Sequence, residues 1–330
     1  MNLEVDREVA TSTLHLPPAL PLGPMTAQWS GDDTVSPELK DQWIKNGFLV
    51  LEGAYSSEEI ARYNAIVAKV RREVDDGKDD HGYGDRIGML HQKEPELLRL
   101  AANAEVLSFL RWAFNDDPVL FGSLNFERGT TQDAHIDAIF FWPEPSYSMA
   151  GCWIALEDIH PDSGPLFYVP ESHTWPFYRS DDVVASRPDL AAKRAAARQA
   201  DYPPDQRAQL VSELGLAWTQ DFRALEGIYE TERLPITLKA GDVVFWHSLL
   251  AHGGSPRINP ALSRRSVVFH YIGKKTKLFT YEQFMLFDRV EMLDQAPQPM
   301  NLADFEGKAE YMKYPHFVTY ANGEQKTHPV

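Results

Sequence analysis

The stretch "YSMAGCWIALEDIHPDSGPLFYVP", residues 147–170, holds two short apolar runs on either side of a polar hinge. Aromatic and β-branched residues fill both runs, and Asp162, Ser163 and Gly164 suit the hinge to a tight turn, so each run reads as a strand. The same grammar recurs outward in both directions. "PVLFGSLNFE" (118–127), "AHIDAIFFW" (134–142), "LPITLKA" (234–240), "DVVFWHSLL" (242–250) and "RRSVVFHYIG" (264–273) are short, apolar and bounded by Gly, Pro or Asp. Many short strands with no helix between most of them predict a mainly β fold, an antiparallel barrel or double-sheet jelly roll with flanking helices.

Helical patterns frame this core. Residues 1–35 are rich in Pro, Thr and Gly without periodicity and read as a flexible arm, leaving 36–330 as a single domain. "SPELKDQWIKNG" (36–47) begins with an N-cap serine and Pro37 and stops at Gly47. In "SSEEIARYNAIVAKVRREVDDG" (56–77), Ile60, Tyr63, Ile66, Val67 and Val70 form one apolar stripe. Two further helical stretches lie at 94–104 and 104–114. Between the strands, roughly 174–234 is helical and charged, and an insertion of that length predicts a cover over a functional site. Its bases Arg179, Lys193, Arg194, Arg198 and Arg207 are candidates to meet an anionic or polar substrate, although a solvated helix face accounts for them equally well.

Gross composition excludes several classes. The 330 residues carry 43% apolar content, enough for a substantial core. A formal charge of −16 disfavours nucleic acid and anionic membrane surfaces, which require clustered Lys and Arg. No run reaches the ~20 apolar residues of a membrane span. The N-terminus carries acids where a signal peptide carries bases, and the single Cys152 rules out an internal disulfide framework. The expected setting is a soluble, cytoplasmic protein acting on a small molecule, as a monomer or a homodimer.

The chemistry concentrates in two places. His135 and Asp137 in "AHIDAIFFWP" (134–143) stand at i and i+2, so a strand there would point both to one side. A metal held by that pair needs a third ligand, and "GDVVFWHSLLAHGGSP" (241–256) with the strand after it supplies His247, His252 and His270. His252 stands where a strand breaks into "GGSP", an end able to aim a side chain at a neighbouring strand. His247, inside an apolar run, reads as a core histidine. Two histidines and one carboxylate on one face leave three positions open on iron, the arrangement of non-haem Fe(II) oxygenases. Other features have blander readings. His160 and Asp162 are turn residues, and Cys152 packs as a small hydrophobe. "GYGDRIG" (82–88) lacks the spacing of a phosphate loop, and "DDGKDD" (75–80) is a solvated loop.

In combination, "WIKNGFLVLEGAYSSEEI", "HID", "CWIALEDIHPDSGPLFYVPESH" and "GDVVFWHSLLAHGGS" followed by "RR" resemble the phytanoyl-CoA dioxygenase (PhyH-like) family of Fe(II)/2-oxoglutarate oxygenases, over roughly residues 38–272. The resemblance implies a double-stranded β-helix with His135, Asp137 and His252 as iron ligands, and 2-oxoglutarate and O2 as co-substrates. It implies that Arg264, on the strand after His252, grips the distal carboxylate of 2-oxoglutarate, with Arg265 facing away. Trp153 falls where the family places an aromatic beside 2-oxoglutarate, and Asn125 is a further candidate contact. The family often carries serine two residues after the distal histidine. Here that position is Gly254, and Ser255 follows one later. The implied reaction oxidises an unactivated C–H bond, with succinate and CO2 released, and the retained carboxylate of Asp137 implies oxygen transfer or desaturation in place of halogenation. The rivals are a metal-dependent hydrolase or epimerase on a cupin-like barrel, which leaves Arg264 without a task, and a non-catalytic jelly-roll binding module.

Overall fold

The computed structural model describes residues 34–73, 86–293, 297–298, 300–313, 316–319 and 325–328. The expected arm, apart from Thr34 and Val35, and the acidic run at 75–80 lie outside the described residues. α1 (Pro37–Asn46) has the ends its sequence dictates: Ser36 Oγ accepts the Leu39 amide, Pro37 fills the first turn, and Gly47 closes it at φ 75°. β1 (Phe48–Leu51), α2 (Ser57–Glu73), β2 (Arg86–Gly88), α3 (Leu90–Lys93), α4 (Leu98–Ala101) and α5 (Ala104–Phe114) follow. The strand-rich part then runs β3 (Pro118–Phe126), β4 (Gln132–His135), α6 (Ala138–Phe141), β5 (Pro143–Glu144), β6 (Met149–Ala155) and β7 (Leu166–Tyr168). After the insertion of α7 (Ser180–Ala185), α8 (Pro188–Ala197) and α9 (Pro204–Ile228) come β8 (Leu234–Pro235), β9 (Val243–His247), β10 (His252–Gly254), β11 (Ser266–Gly273) and β12 (Lys277–Leu278). α10 (Tyr281–Leu286), β13 (Leu302–Phe305), β14 (Ala309–Met312) and the pair β15 (His316–Thr319) and β16 (Gln325–His328) end the chain.

Two sheets form the jelly roll. The larger runs β1-β9-β6-β11-β3-β14-β13 with β2 paired to β3, and the smaller runs β4-β10-β7-β8. Alternation along β6 shows how the larger sheet is used on both faces. Cys152 and Ile154 pack outward with Phe245 and Phe269 against Tyr63, Val67, Phe109 and Leu110 of α2 and α5. Trp153 and Ala155 point inward with Phe48, Val244 and Trp246 to meet Tyr168 of the smaller sheet. Cys152 is fully buried there and behaves as the expected small hydrophobe.

One expected strand is shorter than its sequence suggested. "AHIDAIFFW" is β only to His135, and Asp137 stands in the right-handed region (φ −67°, ψ −28°) before α6. The Phe140 amide returns to the Asp137 carbonyl and the Ala138 amide donates to the Ser248 carbonyl, so these groups of the turn are paired without a ladder. His135 and Asp137 are therefore brought together by a turn, and pleat alternation is not what aligns them.

The insertion is helical as expected. Leu210, Leu214, Trp218, Phe222 and Leu225 form the buried stripe of α9, and it shares a core with Ile139 and Trp142 around α6 and with Phe284 and Met285 of α10. No residue of 174–234 is among those lining the cavity beside His135. The five bases are engaged within the fold. Arg179 lies over Phe177 at 4.5 Å, Lys193 pairs with Glu213 at 3.0 Å, and Arg194 donates to Ser180 Oγ at 2.6 Å. Arg198 and Arg207 donate to the carbonyls of Leu286 and Ala197 at 2.6 and 3.1 Å. The helices brace the wall of the site, with Arg223 of α9 ion-paired to Asp133 of β4.

His247 sits in the core, as its sequence suggested, and it has a buried companion. Its ring lies 5.6 Å from that of His173 and 5.7 Å from that of Trp43. Burial pushes both imidazole pKa values down from 6.5, that of His247 strongly. Both rings are neutral when folded, whereas the unfolded chain protonates them below pH ~6.5. The unfolded state then binds more protons, so this stability is complete above pH 6.5 and is lost as pH falls toward the folded pKa values. Urea unfolding at stepped pH is expected to show the midpoint falling from pH 7 to 5, with a shallower fall in His247→Gln. An identical slope in the variant would contradict this assignment.

Candidate metal centre

β4 and β10 set the geometry. His252 lies directly opposite His135 across the pair, and the ladder slips immediately afterwards. The slip comes where Gly254 passes Thr130: a Cβ on Gly254 would stand 1.8 Å from the Thr130 carbonyl oxygen. Only glycine allows that approach, and no side chain can be presented from position 254.

Each histidine is oriented from behind. His135 Nδ1 donates to the Asp133 carbonyl and His252 Nδ1 to the Leu250 carbonyl, both at 2.9 Å. That fixes the tautomer and leaves each Nε2 lone pair facing the cavity. Asp137 Oδ1 lies 3.7 Å from His135 Nε2 and 3.5 Å from His252 Nε2. The three donor atoms fall within 4.8 Å of one another, the spacing of a single cation's ligands.

The other carboxylate oxygen of Asp137 is also held. Trp246 Nε1 donates to Oδ2 at 2.7 Å, and His270 Nε2 stands 3.5 Å from the same oxygen. Burial alone would raise the Asp137 pKa. The surrounding His252, His270 and His135 outweigh it and hold the carboxyl well below its ordinary range. Burial, with His252 adding to it, pushes His135 down to about 4. At neutral pH the cluster offers a charged carboxylate and a neutral imidazole at His135, the forms in which these groups bind metal. The donor set of two nitrogens and one oxygen fits Fe(II) and leaves coordination positions free.

Arg264 does not lie on the strand after His252, as expected. It precedes β11, with its backbone amide on the Glu127 carbonyl at 2.8 Å. Its side chain lines the cavity, is 1% exposed, and stands over Phe126 and Trp153 at 5.6 and 5.9 Å. Nη1 donates to the Gly164 carbonyl at 2.8 Å, while Nε has no hydrogen-bond partner among the described residues. Burial lowers its pKa only to about 10, so it stays charged at neutral pH. Among the described residues no carboxylate pairs with it. Arg265 faces away and grips Glu157 through Nε at 2.8 Å and Nη2 at 2.7 Å.

The remaining candidates divide. Trp153 lines the cavity, with a buried Nε1 that has no partner among the described residues. Asn125 points to the other side of β3, where it accepts from Arg71 Nη2 at 3.0 Å and donates to the Ser266 carbonyl at 3.4 Å. The inward residues of β3 at this level are its neighbours Leu124 and Phe126. Ser255 spends its amide on the Pro165 carbonyl and is not among the lining residues. The sequence reading missed the role of Trp246, left His270 without a task and passed over Thr130. Only the cross-strand register, which no local pattern records, places them at the site.

The cavity measures about 380 Å³. Its walls are mainly apolar, with Phe126, Phe140, Phe141, Leu166 and Val268, and Arg86, Thr130 and Gln132 supply polar groups. A jelly roll holding two histidines and one carboxylate beside a buried arginine defines a non-haem, 2-oxoglutarate-dependent iron dioxygenase. The chain belongs to the family described as Phytanoyl-CoA dioxygenase (PhyH), which matches residues 43–266. It is 24% identical over 291 residues to the ectoine dioxygenase of Stutzerimonas stutzeri (strain A1501), covering 82% of this chain and 85% of that one. It is 22% identical over 310 residues to the peroxisomal phytanoyl-CoA dioxygenase of Rattus norvegicus, covering 86% and 83%. Similar solved folds include iron-bound EctD from S. alaskensis, with TM-score 0.55, 18% identity and coverage of 82% and 88%. The epimerase SnoN in complex with Fe3+, alpha ketoglutarate and nogalamycin RO aligns with TM-score 0.55, 16% identity and coverage of 80% and 95%.

Proposed function

We propose that this protein oxidises an unactivated C–H bond of a small apolar molecule, a specialised metabolite, using Fe(II), 2-oxoglutarate and O2. The observation that carries this reading is Arg264. A buried guanidinium with no carboxylate partner is costly, and an anionic ligand arriving through the cavity removes that cost. The distal carboxylate of 2-oxoglutarate is such a ligand, matched to the donor fork of arginine. A hydrolase or epimerase at the same triad leaves Arg264 without a task, and a binding module leaves the convergence of His135, Asp137 and His252 without one.

His135, Asp137 and His252 would hold the iron. Iron held there would supply the redox chemistry that links decarboxylation of 2-oxoglutarate and reduction of O2 to oxidation of the substrate C–H bond. The protein's own part is positioning. Trp246 and His270 keep one Asp137 oxygen occupied, so its other oxygen is the one presented beside the histidines. The apolar walls exclude water and leave dispersion contact with the substrate as the main grip. Overall, R–H, O2 and 2-oxoglutarate give R–OH, succinate and CO2.

The direct test is anaerobic loading with Fe(II) and 2-oxoglutarate, followed by air and pooled candidate metabolites in high chloride. The expected result is succinate in step with a product of oxygen insertion or desaturation and no chlorinated product, because Asp137 occupies the position a halide would need. Chlorinated product, or turnover without succinate, would contradict the reading.

A further inference from the structure

We propose that Gln132 and Phe140 orient the substrate, an apolar skeleton bearing a carbonyl or hydroxyl oxygen close to the C–H bond that is oxidised. The inference rests on the functional reading above and names the groups its substrate must carry. Gln132 and His135 stand three residues apart on β4, a spacing that a regular pleat sends to opposite faces. The slip in the ladder cancels this. Gln132 pairs with Gly254 and His135 with His252, so β4 takes three steps where β10 takes two. A bulge of this kind re-aims a side chain, and both residues line the cavity. The backbone at Gln132 is closely held, since a Cβ on Gly253 would stand 2.5 Å from its carbonyl oxygen.

The Gln132 side-chain Nε2 lies 3.3 Å from His135 Nε2. His135 Nδ1 donates to the Asp133 carbonyl, so its Nε2 holds a lone pair and the amide donates to it. That lone pair is also the one His135 offers to a metal. Once it is engaged there, the half-buried amide keeps a donor beside the triad that a substrate oxygen would accept. Phe140 supplies the apolar contact. Its ring meets that of His135 at 5.7 Å in a T-shaped arrangement and stacks on Tyr281 at 5.5 Å. Gly215 of α9 leaves the room for this tyrosine, since a Cβ there would stand 1.9 Å from the Tyr281 hydroxyl. Phe140 is 38% exposed and lines the cavity. The other exposed large apolar side chains among the described residues, Ile44, Leu216, Leu234 and Ile258, do not line it. An apolar surface and one placed amide on either flank of the same ligand fix a pose that neither fixes alone.

The test uses 1-indanone and indane, one apolar skeleton with and without a carbonyl oxygen. The enzyme is loaded anaerobically with Fe(II) and 2-oxoglutarate, and the visible charge-transfer band records assembly. Calorimetry without O2 then gives the affinity for each probe in the absence of turnover. Gln132→Leu removes the donor and should lower the preference for 1-indanone over indane about fivefold, the worth of one neutral hydrogen bond. Its affinity for iron and 2-oxoglutarate should be unchanged. Phe140→Ala should instead weaken both probes alike, by about fivefold. Should the leucine variant fold poorly, Gln132→Ala is expected to show the same selective loss. An unchanged preference in both Gln132 variants would overturn the proposal, as would full affinity for both probes in Phe140→Ala. Loss of iron binding in Gln132→Leu, or an assembled native enzyme that binds neither probe, would also overturn it. Failure of the native enzyme to assemble with iron and 2-oxoglutarate would overturn the functional reading and this proposal together.

Discussion

Arg264→Ala is expected to weaken 2-oxoglutarate binding roughly 30-fold or more, since truncating one partner of a buried charge pair costs about 2–5 kcal/mol. The unequal surroundings of two adjacent arginines make the comparison sharp. Arg264 is 1% exposed inside the cavity, whereas the Arg265 side chain is 43% exposed and already occupied by Glu157. Arg265→Ala should therefore leave 2-oxoglutarate affinity within about fivefold, the range of a partly solvated pair. A thermal readout separates binding from folding. Added 2-oxoglutarate should raise the melting temperature of the native enzyme and of Arg265→Ala, and leave that of Arg264→Ala nearly unmoved. A larger loss in the Arg265 variant would assign the carboxylate to the opposite face of the chain.

That arginine also shows how far the sequence could be read. The pair "RR" before an apolar run located the cation and the outward-facing neighbour, because adjacent residues in extended chain point opposite ways. It did not show that β11 begins only at Ser266, nor that the guanidinium would hang on the Gly164 carbonyl. The jelly roll was legible in the spacing of turn residues between short apolar runs. Where a run ends was not: Asp137 and the aromatic residues after it have strand-like composition yet turn into α6, because the Ser248 carbonyl takes the Ala138 amide from across the fold.

Residues whose roles depend on partners distant in sequence were hardest to read. Trp246 resembles any core tryptophan until the Asp137 carboxylate is found 2.7 Å from its indole nitrogen. Asn125 resembles a cavity residue until Arg71 is found on its amide oxygen. The insertion was recognisable as helical, but not the packing of its stripe from Leu210 to Leu225 against α6 and α10.

The triad carries the second large effect. His135, Asp137 and His252 converge within 4.8 Å, whereas His247 is buried against His173 and Trp43 in the core. Anaerobic Fe(II) titration in the presence of 2-oxoglutarate, followed by the visible charge-transfer band of the complex, reads this directly. Substituting Ala at His135, Asp137 or His252 should each weaken iron binding by at least about 100-fold, beyond what loss of an outer-shell partner costs. His247→Gln should bind iron like the native enzyme. Retention of the band in His252→Ala together with its loss in His247→Gln would contradict the assignment of this centre.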